Sequence, residues 1–204
     1  MKHEYDYPRA ILGEDFISPE EIENRWGVSF GYTPEQNQQL TKNIPSKDFI
    51  EECKDKGYAL VAGPSFPKTL IEMLLAKENL FFTRGEAWRN DRQIFAHTEK
   101  VKPEWIMFKK VPVPGTFLKK WDEQIIMISD REAVPSAVTL VWCMATFVVV
   151  RNEELFSGHY VRTSSRSDDG EPIVVSSIPF QGIMIDVLPG ESKGSILGLA
   201  SMRK

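Results

Sequence analysis

The chain has 204 residues, enough for one sizeable core or two small ones, and its 42% hydrophobic content, five Trp and twelve Phe exclude a disordered polymer. Its 25 Lys and Arg against 29 Asp and Glu give a net charge of -4, which excludes a global attraction for nucleic acid or an anionic membrane surface. Only Cys53 and Cys143 are present, far apart, and they read as two reduced structural thiols in a reducing compartment.

The opening M-K-H-E-Y-D-Y-P-R-A has no apolar stretch of the length a signal peptide needs, and the uncharged apolar stretch 137–150 falls short of a bilayer span. A cytoplasmic location is therefore expected. Ser18-Pro19-Glu20-Glu21 starts a first helix, because the Ser hydroxyl accepts from a free backbone N–H, Pro suits the first helical position and Glu21 reaches back to Ser18. That helix ends near Trp26-Gly27. Thr33-Pro34-Glu35-Gln36 repeats the arrangement ahead of Pro45, and Ser46 caps a third helix through about Lys56, with Gly57 at its left-handed end.

Tyr58 to Ala62 reads as a strand and Pro67 to Ala76 as a helix with Leu70, Ile71, Leu74 and Leu75 on one face, followed by an extended segment from Glu78 to Thr83. From Arg84 to Lys120 the charge changes sign: nine Lys or Arg against four Asp or Glu give +5, whereas seven against twelve give -5 over residues 1–56. Trp105 to Val111 reads as a strand, Val111-Pro112-Val113-Pro114-Gly115 as an extended connector, and Trp121 to Ile128 as a helix, although its I-I-M-I block also suits a buried strand.

The uncharged run from Ala137 to Val150 must be buried on every face. Half of its residues are β-branched, which favours a strand, but its length, Ser136 at the N-cap and Arg151-Asn152 at the end favour a helix. Four short strands follow at Leu155 to Ser164, Ile173 to Ile178, Gly182 to Leu188 and Ile196 to Met202, separated by Ser167-Asp168-Asp169-Gly170 and Pro189-Gly190. The expected fold is α+β: residues 1–83 form a helical region packed on the main core, and 84–204 form a core in which an antiparallel meander packs on the buried central helix.

The blocks I-S-P-E-E at 17–21, C-K-D-K-G-Y-A-L-V-A-G-P at 53–64, P-V-P at 112–114, E-Q at 123–124, V-P-S-A at 134–137 and Y-V-R-T-S-S with S-D-D-G within 160–170 resemble an uncharacterised family of bacterial proteins. The resemblance spans nearly the whole chain. It implies a bacterial origin and one full-length unit, and no mechanism.

Three constellations carry chemistry. The first joins His159, Arg162, Ser164, Ser165, Arg166, Asp168 and Asp169, where Arg forks and hydroxyls can hold a phosphate or carboxylate; the alternative is a solvated hairpin turn. Strand alternation sends His159 and Arg162 to opposite faces. The second is the basic, aromatic stretch 84–110, where Arg84, Arg89, Arg92, Lys100, Lys102, Lys109 and Lys110 alternate with Trp88, Phe95, Trp105 and Phe108, a pattern that suits single-stranded nucleic acid if the rings face out. The third is a fold-assembled hydrolase-like site drawing on His159, Asp186, Cys53 and His97, since no P-loop, G-x-S-x-G or metal-ligand spacing is present and neither a metal nor a cofactor is expected. The leading expectation is a bacterial binding protein without catalytic activity, whose partner is a protein or a small molecule.

Overall fold

A computed structural model describes residues 5–27, 31–82 and 93–204. The capping signals set the first helices. Helix α1 (Asp6–Leu12) precedes strand β1 (Phe16–Ile17); helix α2 (Pro19–Trp26) starts at a full Ser18–Glu21 capping box, α3 (Pro34–Lys42) at a Thr33–Gln36 box, and α4 (Lys47–Lys54) under Ser46. Strand β2 (Tyr58–Ala62) follows Gly57, whose φ of 71° needs a residue without a Cβ.

Helix α5 is Leu70–Ala76, shorter than the expected 67–76, because Thr69 and Glu72 form a third capping box that starts it after Thr69. Glu78–Leu80 is a single 3-10 turn where an extended segment was expected, and the Phe81 that follows bridges to Ile183. Helix α6 (Ile94–Thr98), strand β3 (Trp105–Lys109) and helix α7 (Trp121–Ile125) complete the middle of the chain, and β4 (Glu132–Ala133) leads into α8.

Helix α8 spans Ala137–Arg151, capped by Ser136, whose Oγ accepts from Thr139 N, and closed by Asn152 in the left-handed conformation. Of the eleven positions from Ala137 to Phe147 all but Thr139 are buried, because α8 lies between two sheets. Toward the first sheet, Trp142 Nε1 donates to Ala62 O at 2.9 Å and the Phe147 ring meets Phe108 edge-on at 5.9 Å. Toward the second, α8 packs on Val161, Ile173, Val175, Ile183 and Ile185. Each large apolar side chain so enclosed contributes roughly 1.5–3 kcal/mol relative to exposure.

The first sheet has the order β1-β2-β3-β9-β4, where β9 is Met202–Arg203; β1 and β2 run parallel and the other pairs antiparallel. The second has the order β7-β6-β5-β8, built from β5 (Tyr160–Arg166), β6 (Pro172–Ile178), β7 (Gly182–Val187) and β8 (Leu197–Leu199). Its first three strands form the expected antiparallel meander. The fourth does not extend it: β8 pairs with β5 in parallel, on the far edge. The segment 188–196 is therefore a crossover and not a hairpin turn, and it is tied down by Arg162, which donates to the carbonyls of Pro189, Gly190 and Ser192. The expected strand from Ile196 to Met202 is also divided, its first half joining the second sheet and Met202 the first.

Candidate functional site

The four expected catalytic residues lie on separate elements. Cys53 is buried on α4, with burial pushing its thiol up; His97 is exposed on α6; His159 precedes β5 and packs its ring 5.5 Å from that of Phe117; Asp186 on β7 accepts from Val187 N at 2.8 Å. No hydrogen bond or ion pair joins any two of them. Among the described residues no group of three or more His, Cys, Asp or Glu is placed to hold a metal ion.

The Ser/Arg constellation on β5 separates by strand alternation. Arg162 lies on the face away from α8, in register with Leu199 on one side and Val174 on the other, and Val174 in turn pairs with Asp186. Arg162 and Asp186 thus share a face with a valine between them, about 10 Å apart. Arg162 is wholly buried, and its guanidinium donates to five oxygens: Lys119 O, Gln124 Oε1 and the three crossover carbonyls. That network leaves no NH2 group to offer a ligand. Ser165 points the other way, accepting from Ala137 N at the start of α8 and donating to Glu99 Oε2, so its hydroxyl is also engaged. Burial pushes the Glu99 carboxyl up, against the Ser165 hydrogen bond. Arg166 is half-buried and lies over the Trp121 ring at 4.3 Å, with no carboxylate partner among the described residues.

The basic segment divides as well. Arg84, Trp88, Arg89 and Arg92 lie outside the described residues. In the remainder, Phe95 and Phe108 are buried, and Trp105 stacks on Phe16 while donating to Leu40 O. Lys109 is paired with Glu132 at 3.2 Å, and Lys110 with Asp15 and Glu153 at 2.7 and 2.6 Å. The described rings therefore face the core, and these two lysines are neutralised.

Two polar clusters are absent from the sequence reading. On the α4 side of the first sheet, Tyr58 and Ser201 donate to Glu132, as do Ser129 N and Oγ, while Lys109 and Arg203 flank it. Burial alone would raise the Glu132 carboxyl, but these donors hold it well below the usual range. At the other end of α8, Glu21 collects Arg9, Ser18 N and Arg151, which overcome burial and bring its carboxyl down to about 2. Both depend on long-range juxtaposition, for which the sequence carries no local signal.

A third feature is apolar. The run Ile125 to Ile128 contains no buried residue: Ile126 is 80% exposed and Met127 39%. Leu118 is 64% exposed and is held at φ 59°, a conformation that an aliphatic side chain rarely adopts. Leu118 N donates to Gly194 O, two residues before half-exposed Ile196, and Met127 Cε lies where it would touch a Cβ placed on Gly115, three residues before Leu118. Phe180, fully exposed at φ 61°, differs in that it occupies the third position of the Ile178–Gln181 turn after Pro179, where a positive φ closes the hairpin.

No family model, curated protein or solved structure matches the chain. No helix among the described residues is long and apolar enough to cross a membrane.

Proposed function

We propose that the chain is a cytoplasmic bacterial protein that acts without catalysis, by docking a partner protein on the aliphatic face of Leu118, Ile126, Met127 and Ile196. The observation that carries this reading is Leu118. Holding a leucine in the left-handed conformation costs roughly 1–2 kcal/mol of folding free energy, and its side chain ends at the surface, so no core contact offsets the cost. Exposed aliphatic neighbours around a strained residue are the arrangement expected of a contact surface. The dispersal of His159, Asp186, Cys53 and His97, and the engagement of Arg162 and Ser165, favour binding over hydrolysis.

A photo-crosslinking side chain at Met127, introduced in cells of the source organism, tests the reading against the same group at exposed Glu35. A single adduct of discrete mass from position 127 alone is expected. An adduct pattern shared by the two positions overturns it.

A further inference from the structure

The β4–β9 end of the first sheet carries a basic concavity. Antiparallel pairing sets Glu132 opposite Arg203 and ties Lys204 N to Arg131 O, so that three cationic side chains meet α4 across a cavity of about 340 Å³ lined by Phe49, Glu52, Arg131, Arg203 and Lys204. That volume is within the range of small-molecule sites. The lining carries three cations against one anion, in a protein of net charge -4.

Arg203 is the fixed wall. Its side chain is 7% exposed, its Nη2 donates to Glu52 at 3.3 Å, and its guanidinium lies 5.1 Å over the Phe49 ring. Its Nε is buried and makes no hydrogen bond, which leaves a charged donor group short of acceptors. Glu52 answers only the Nη2 of Arg203 and is shared with Lys56 at 2.8 Å, so one carboxylate faces several cations. Arg131 is 75% exposed and only loosely paired with Glu52 at 3.9 Å, free to close on a ligand from the solvent side.

We infer that this cavity binds a phosphate group, with Arg203 as its rigid donor, Arg131 and Lys204 as its exposed cations and Phe49 as its apolar floor. A planar guanidinium matches two phosphate oxygens at once, and a second cation neutralises the remaining charge. This site is independent of the aliphatic face.

Calorimetric titration of the full chain with inorganic phosphate and with phenyl phosphate, in dilute chloride buffer, tests it. Saturable one-to-one binding is expected, weakened at least about tenfold by R131Q and by R203Q and unaltered by K193Q at a distant lysine. R131Q alters a solvent-exposed side chain, so its folding is not in question if Arg203→Gln proves unstable. A tighter phenyl phosphate identifies an organic ester as ligand, and equal affinities identify the free ion. Absence of saturable binding by either probe overturns the inference, as does an R131Q affinity within about twofold of the unsubstituted protein.

Discussion

Arg162 donates to Gln124 Oε1 at 2.8 Å, and neither side chain reaches solvent. Gln124 passes the link on through its amide to Thr116 O and Leu197 O, so one guanidinium and one amide join the proline-rich connector, α7, β8 and the 188–196 crossover. Its hydrogen bonds all go to neutral oxygens, and burial lowers the guanidinium's affinity for its proton, with Glu171 acting in the opposite sense. Arg162→Met should cost about 2–4 kcal/mol, since it strands several buried carbonyls, and Arg162→Lys nearly as much, because an ammonium cannot span the same fork. Urea unfolding reads both as a lower midpoint at unchanged slope. A Lys variant as stable as the unsubstituted protein would show that the fork is not what holds the crossover.

This pair also marks where sequence reading stops. Helix α8 was legible because its signals are local: an uncharged run, a Ser cap and a cationic end. The caps of α2, α3 and α4 were legible for the same reason. Strands β1, β4 and β9, of two residues each, are too short to show a period of two, and they exist because partners far along the chain supply their hydrogen bonds. The parallel placement of β8 depends on Arg162 capturing carbonyls about 30 residues away, which no turn motif at Pro189-Gly190 could announce. The I-I-M-I block suits a helix end or a buried strand by sequence; α7 stops at Ile125, and Ile126 and Met127 face water.

The Glu21 cluster sets an acid limit on stability. Its carboxyl titrates at about 2 in the folded chain against an ordinary 4.5, so the unfolded chain takes up the proton first. The stabilisation is therefore present in full above about pH 4.5 and is lost as pH falls through about 2. Glu21→Gln should lower stability by roughly 2–3 kcal/mol at neutral pH, with the difference from the unsubstituted protein shrinking toward pH 2. Thermal or denaturant unfolding of the two proteins across that range gives the comparison; a pH-independent difference would assign the effect to packing.

Cys53 and Cys143 are both buried, and burial pushes both thiols up, so neither presents a thiolate. A chromogenic disulfide reagent should leave both unmodified in the native protein and modify both in guanidinium. Rapid native reaction of Cys53 would place it on a solvent-accessible path and revive it as a nucleophile.

The most direct measurement of the account combines stability and contact at one residue. Leu118→Gly removes the left-handed strain and the exposed side chain together, at the smaller entropic cost of a glycine. Docking on this face predicts opposite movements: a Tm higher by roughly 1–4 °C and a lower yield of the adduct formed from position 127. A lower Tm with an undiminished adduct would contradict it, showing that Leu118 serves the fold and that the partner sits elsewhere.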